Sequence, residues 1–399
     1  MIRSYLSEPA TVSALGVTFA DTLDALYNAS TSPLAPSSEW VTGKTIYTGR
    51  PPAPAPSLPA GTPEEFNTHN NRLLWQAAVQ LDARILRARE RYGAQRIGVI
   101  IGTTTTGVDD NYRAFEAFAE DGNWQRGLYR HEYQLLSAPA DFLAHHYGLC
   151  GPVYSISTAC TSGARAIVTA HRLLATNLCD AVICGGVDSL ARLTINGFDS
   201  LQALSAGIAN PFSVNRDGIN IGEAAALFVV TREPEDGLPL LGYGNSSDAF
   251  HMSSPDPEAK GAILAIREAL QRAQLEPEDI GWVNLHGTAT ELNDSMESLA
   301  MTSCFAQGVP CTSTKPMTGH TLGAAGALEA ALVWGAIDKQ RNPQGRLPAQ
   351  YWDGQADTAL PAIQLTQAGS VWQQSRRIGM SLSFAFGGNN TVLILGEDS

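Results

Sequence analysis

The stretch Tyr154-Ser155-Ile156-Ser157-Thr158-Ala159-Cys160-Thr161-Ser162-Gly163-Ala164-Arg165-Ala166-Ile167 constrains this chain more than any other. Residues 153–157 alternate like a strand, a turn of small residues follows, and Ala164, Ile167, Val168 and Leu174 then fall near one helical face. Cys160 stands at that turn, beside the first free N–H groups of the helix. Partial positive charge there favours thiolate over thiol, and thiolate is the nucleophilic form. Gly163 lowers helix propensity one turn in, so close backbone packing or approach of a ligand is its better explanation. A buried structural cysteine is the competing reading, and two histidine segments downstream weigh against it.

The chain has 399 residues, of which 44% are apolar, and no obvious linker divides it. Two pseudo-equivalent halves around one large core, residues 1–235 and 236–399, fit this better than two separate globules. No run of about 18 apolar residues suggests a membrane span, and no basic-plus-apolar leader is seen. The six cysteines are scattered without a C-x-x-C pair, which points to reduced thiols in a cytoplasmic protein. A net charge of −13 argues against non-specific nucleic-acid binding.

Along the chain, residues 10–26 read as a strand and then a helix carrying Leu23, Leu26 and Tyr27. Residues 50–63 form a proline-rich surface excursion. Leu73, Leu74, Ala77, Leu81, Ile85 and Leu86 recur at helical spacing and predict one amphipathic helix over residues 70–91. Residues 97–102 form a short buried strand and 103–107 a polar turn, followed by an aromatic-rich helix near a pocket or interface. Residues 180–187 form another apolar strand; Gly185-Gly186 lacks the spacing of a dinucleotide fingerprint. A second amphipathic helix covers 257–273, a strand ends at His286, a glycine- and alanine-rich helix covers 322–337, and closing strands flank the Phe386-Gly387-Gly388 turn. Strand–helix–strand order repeats in both halves, which predicts an internal duplication and an α/β layered fold.

His286 sits in Asn284-Leu285-His286-Gly287-Thr288-Ala289-Thr290, and His320 in Lys315-Pro316-Met317-Thr318-Gly319-His320. Each alone is weak evidence, and neither H-E-x-x-H nor H-x-x-x-H occurs, so no metal site is expected. His145 and His146 read as surface residues.

Together, Thr-Ala-Cys-Thr-Ser-Gly, His-Gly-Thr-Ala-Thr and Lys-Pro-Met-Thr-Gly-His-Thr-Leu-Gly-Ala-Ala-Gly resemble, in that order, the β-ketoacyl-acyl carrier protein synthases of the elongating Cys-His-His branch. The resemblance runs from about Gly98 onward and includes Arg216-Asp217-Gly218 and Gly222-Glu223. It implies a thiolase-like fold of five layers, α-β-α-β-α. It also implies decarboxylative condensation of an acyl group on Cys160 with malonyl-acyl carrier protein. His286 and His320 would promote decarboxylation and stabilise the enolate, and neutral imidazoles suit that task. Backbone N–H groups of Cys160 and Phe386 would form a second oxyanion hole, Lys315 and Glu329 would order the histidine side, and Thr288 and Thr290 would bind the pantetheine arm. No cofactor is implied, since phosphopantetheine arrives on the carrier protein.

The chain departs from the family pattern in places. The usual Gly-x-Gly near residue ten is absent, and Gly-Glu-Gly is Gly222-Glu223-Ala224. The loop after Gly102, normally glycine-rich with a bulky gate residue, is polar here, with Val108 as its substrate-facing candidate. A specialised polyketide or aryl-polyene ketosynthase fits these changes, with housekeeping fatty-acid elongation as the alternative. A degradative thiolase would carry a second cysteine near the closing turn, a chain-initiating synthase an asparagine in place of one histidine, and a chain-length factor no Cys160. The resemblance implies a homodimer, or a heterodimer with a chain-length-factor-like subunit, formed through the strand at 180–187. An acidic carrier protein needs a local cationic patch, and Arg84, Arg87, Arg89 and Arg91 are the densest cluster. Replacing Cys160 by Ala is expected to abolish acyl transfer and condensation while preserving the fold. Acyl label retained by the denatured variant would place the nucleophile elsewhere.

Overall fold

The computed structural model describes residues 3–124 and 127–398. Ile97–Gly102, an apolar run buried along its whole length, lies between two parallel neighbours, Val153–Ile156 and Ala181–Asp188. Ala181–Asp188 pairs antiparallel with Ala224–Thr231, whose far side receives Ala10–Val12. The second half repeats the plan. Trp282–Asn284 lies parallel to Pro310–Thr312 and Ile378–Phe384; Asn389–Gly396 and then Leu238–Ser247 follow antiparallel. Tyr5–Leu6 pairs with a strand of each half and joins them. The duplication expected from the repeated strand–helix–strand order is therefore present.

Two helices, Ser162–Ala175 and Ala325–Ile337, fill the layer between the sheets. Their core draws Ile100, Val182 and Phe228 from one sheet and Trp282, Leu393 and Leu395 from the other. Helices His69–Ala78, Asp82–Tyr92 and Ala138–Tyr147 cover the first sheet outside, and Lys260–Ala273 and Glu291–Cys304 the second. The layers run α-β-α-β-α. All of Ala325–Ile337 is buried, which explains a helix without a polar face. The central helices cross where small residues let their backbones meet. A Cβ on Gly163 would stand 2.8 Å from Ala327 N, and one on Gly326 would stand 2.7 Å from Ala164 Cβ. Among the described residues, no helix is long and apolar enough to cross a membrane.

Three expectations need correction. The single helix over 70–91 is two, His69–Ala78 and Asp82–Tyr92, separated by a 3₁₀ turn at Val79–Leu81. The first rests on Ala10–Val12 and Ala224–Thr231 and the second on Ile97–Gly102 and Ala181–Asp188, so the chain turns to follow a twisted sheet.

The strand at 180–187 cannot extend the sheet into a second subunit, because both of its edges are already hydrogen-bonded. The open edge belongs to Val153–Ile156, the strand before the nucleophile, where Tyr154 is 39% exposed. Residues 181–187 are a continuous apolar run and residues 153–157 alternate, but the expectation of the dimer strand comes from the resemblance and from neither pattern.

The arginine run lies at the wrong end of the sheet for a docking site. Arg84, Arg87 and Arg91 line a groove with Val229 and Thr231, and Thr231 is in register with Ala181. Cys160 lies beyond the other end of that eight-residue strand, about 25 Å away.

Gly163→Val is expected to destabilise the protein by about 1–3 kcal/mol or more through overpacking at the helix crossing, read as a lower denaturant midpoint. An unchanged midpoint would contradict the close crossing.

Candidate active site

Cys160 occupies a strained turn between Val153–Ile156 and the helix Ser162–Ala175. Ala159 holds φ +51°, a left-handed conformation that costs a non-glycine residue free energy and survives only where surrounding contacts impose it. Here the Ser162 hydroxyl donates to Ala159 O at 2.5 Å and accepts from Thr158 N at 2.9 Å. The turn presents Sγ to a cavity of about 410 Å³ between the two halves.

His320 reaches the same cavity from the other half. Its backbone is clamped on both sides: His320 N donates to Asn220 O at 2.7 Å, and Gly222 N donates to His320 O at 3.0 Å. Gly319, at φ +69°, packs so tightly on Gly222 that a side chain has no room. This places His320 Nε2 2.9 Å from Cys160 Sγ. The His286 ring stands edge-on to the His320 ring, with centroids 5.3 Å apart.

The loop carrying His286 is held by a buried carboxylate. Glu297 Oε1 accepts from His286 N, and Oε2 from Gly287 N, each at 2.6 Å. Asp294 performs the same service for Ala289 N and Phe212 N. Burial pushes Glu297 up to about 8 and Asp294 up to about 6.

Lys315 Nζ lies 3.3 Å from His286 Nδ1 and 2.5 Å from Glu329 Oε1, all three residues being buried. An ammonium only donates, so Nδ1 accepts and the proton of the neutral ring sits on Nε2. Lys315 and Glu329 thus fix the tautomer of His286.

Thr288 and Thr290 both line the cavity, their hydroxyls 2.9 Å apart. Phe386 lines it as well, 39% exposed and 5.5 Å from the Phe198 ring. The N–H groups of Phe386 and Cys160 hydrogen-bond the cysteine sulfur. Val108 does not line this cavity. Nor do Phe115 and Phe118, which form an exposed aromatic cluster with Trp124 and Tyr129. His145 and His146 are exposed, as expected.

Two influences act on Cys160 in opposite directions. Burial is the largest and pushes its thiol up to about 12, with Lys315 and the two backbone N–H groups opposing. The helix starts at Ser162, two residues later, and its dipole also favours the thiolate. Burial and then Lys315 hold His286 and His320 well below the ordinary histidine value, so both rings are neutral. Burial thus favours a neutral thiol–imidazole pair at Cys160 and His320.

The ligand-type atoms of Cys160, His286 and His320 lie within 4.8 Å of one another, a spacing that could also hold a metal ion. The Lys315 ammonium against the His286 ring opposes an added cation there.

Sequence reasoning missed Ala159, Glu297, Asp294, Phe198 and Arg216, which pairs with Asp357 at 2.6 Å beside the cavity. Arg216-Asp217-Gly218 was noticed as a motif but given no role. Nothing local in the sequence marks the others.

A strained cysteine turn and two buried imidazoles, meeting between duplicated α/β halves, define a thiolase-fold condensing enzyme. The profile "Beta-ketoacyl synthase, N-terminal domain" matches residues 67–236 and "Beta-ketoacyl synthase, C-terminal domain" residues 239–345. The chain belongs to the β-ketoacyl synthase family. A 3-oxoacyl-[acyl-carrier-protein] synthase 2 from Coxiella burnetii is 33% identical over 76% of this chain and 75% of its own. A ketosynthase (ApeO) from Xenorhabdus doucetiae, solved in complex with its chain length factor (ApeC), superposes with a TM-score of 0.92. It is 43% identical and covers 99% of this chain and 98% of its own. The ishigamide ketosynthase/chain length factor gives a TM-score of 0.86 at 26% identity, over 100% and 99% of the two chains.

If burial sets the thiol, the rate of Cys160 alkylation by iodoacetamide should climb with pH through 9 without a plateau, and Lys315→Met should slow it further. Peptide mapping is needed, because Cys150 is exposed and reacts as well. A plateau below pH 8 would show a resting thiolate.

Proposed function

We propose that this ketosynthase condenses an acyl group on Cys160 with malonyl-acyl carrier protein, and that Cys160, His286 and His320 carry the chemistry. The observation that carries this reading is the 2.9 Å approach of His320 Nε2 to Cys160 Sγ within the cavity that His286 and the two threonines also line.

As sulfur attacks the acyl thioester, the thiol proton passes to His320 Nε2 and on to the departing pantetheine sulfur, so the buried site never holds an isolated thiolate. The acyl oxygen bears the developing charge toward the N–H groups of Cys160 and Phe386. The malonyl thioester then enters past Thr288 and Thr290. Loss of CO₂ leaves an enolate whose oxygen accepts from His286 Nε2–H, and from His320 after proton exchange with solvent has moved its ring proton from Nδ1 to Nε2. The enolate carbon attacks the acyl-cysteine, and as the carbon–sulfur bond breaks the sulfur takes the proton of His320 Nε2 while Nδ1 takes one from solvent, which restores the resting pair. Lys315 and Glu329 support this by holding His286 in the donating tautomer. No cofactor is required beyond the phosphopantetheine of the carrier protein.

We place the enzyme in a specialised polyketide or aryl-polyene pathway of the cytoplasm, working as a dimer with a chain-length-factor-like subunit. The 43% identity to a ketosynthase that pairs with a chain length factor supports this. So does the exposed cluster of Phe115, Phe118 and Trp124, an apolar surface of the kind that partners cover. Fatty-acid elongation by a homodimer is the second reading, favoured by the similarity to 3-oxoacyl-[acyl-carrier-protein] synthase 2. The halves 1–235 and 236–399 are taken as structural repeats, one holding the nucleophile and the other both histidines.

Co-expression with a sister subunit, followed by intact mass of carrier-bound products from a panel of primers, separates the two readings. The pair is expected to be needed for activity and to extend unsaturated or aryl primers. A stable homodimer that efficiently elongates saturated chains would leave a fatty-acid synthase.

A further inference from the structure

The loop after Ile97–Gly102 reads Thr103-Thr104-Thr105-Thr106, and in the fold it is firmly tied down. Asp188, the last residue of Ala181–Asp188, is fully buried. Its carboxylate accepts from Thr103 Oγ1 at 2.8 Å, Thr104 N at 2.7 Å, Thr104 Oγ1 at 2.5 Å, Thr105 N at 2.9 Å and Thr105 Oγ1 at 3.0 Å. A sixth bond comes from the other half of the chain, where Gly323 N donates at 2.6 Å. Gly323 lies three residues after His320 and packs against Thr103 and Gly186. Further ties follow along the loop: Ser189 Oγ donates to Thr106 O at 3.3 Å, and Asp109 accepts from Arg192 N at 2.8 Å.

A buried carboxylate is an expensive way to stabilise a fold, since apolar packing would usually serve as well. What a carboxylate offers is several strong acceptor sites at one point, here shared between two segments that must keep register. One segment follows the central strand Ile97–Gly102, and the other carries His320.

We propose that Asp188 is a positioning residue that locks the threonine loop to the His320 loop, so that the condensing imidazole is held in register with Cys160 by one anchor. This rests on the role given to His320 above. Asp188→Asn presents an N–H₂ donor where the carboxylate accepted, so either the loop or Gly323 must shift.

The test uses the enzyme with whatever partner its activity requires, and measures condensation kcat and KM, thermal midpoint and Cys160 alkylation. Asp188→Asn is expected to lower kcat by about 10–100-fold, the scale of a lost charged hydrogen bond, with KM for the malonyl carrier protein unchanged and Cys160 still alkylated. A lowered midpoint with unchanged kcat would reduce Asp188 to a structural tie and overturn the proposal.

Should Asp188→Asn not fold, Thr104→Val removes one loop hydroxyl while leaving the Gly323 bond. It is expected to lower kcat with KM unchanged, and Thr104→Ser to retain the wild-type kcat; an unchanged kcat in Thr104→Val would equally overturn the proposal. His320→Ala is run alongside. Wild-type condensation by that variant would refute the role of His320, whereas loss of condensation there with wild-type kcat in Asp188→Asn would overturn the proposal alone.

Discussion

Everything at the site depends on two buried helices crossing at backbone distance. Gly163 meets Ala327, and Gly326 meets Ala164. That contact brings the turn before one helix and the loop before the other to a common point. Cys160 belongs to the first and His320 to the second. A larger residue at the crossing would separate the halves, and the 2.9 Å sulfur–imidazole contact would be lost first. Packing and chemistry are therefore one constraint, and the small residues of Ser162–Ala175 and Ala325–Ile337 serve both.

Close packing also sets the electrostatics. A site this dry favours neutral forms, and thiol and imidazoles are each displaced in that direction. Neutral imidazoles are useful to a condensing enzyme, because they can donate to an enolate without quenching it as acids. The acidic and basic groups buried around the site are paired or multiply hydrogen-bonded: Lys315 with Glu329, Glu297 on two backbone N–H groups, Asp188 on two loops. Each sits behind a segment that must not move.

How much of this could be read from residues alone follows from what each residue needs. Cys160, His286 and His320 were legible because reactive side chains stood in ordered motifs. The duplication was legible because buried strands and helices carry their periodicities in the chain. Asp188, Glu297 and Asp294 were not, because an acidic residue becomes a buried anchor only through contacts formed in the tertiary fold. Which strand lies at an open edge is decided by pairing in the tertiary fold, and it gives the edge to Val153–Ile156 rather than to 180–187. The helix dipole at Cys160 was legible, but the desolvation that opposes it arises only in the folded chain.

The most direct measurement is a pulse–chase read by intact and peptide-mapped mass. The enzyme, with its partner if one is required, is first given acyl-carrier protein alone and then malonyl-carrier protein. The account expects one acyl group on the peptide containing Cys160, which then leaves the enzyme and reappears on the carrier as a β-ketoacyl chain two carbons longer. Acyl mass on any other peptide, or product formed without passage through Cys160, would contradict it.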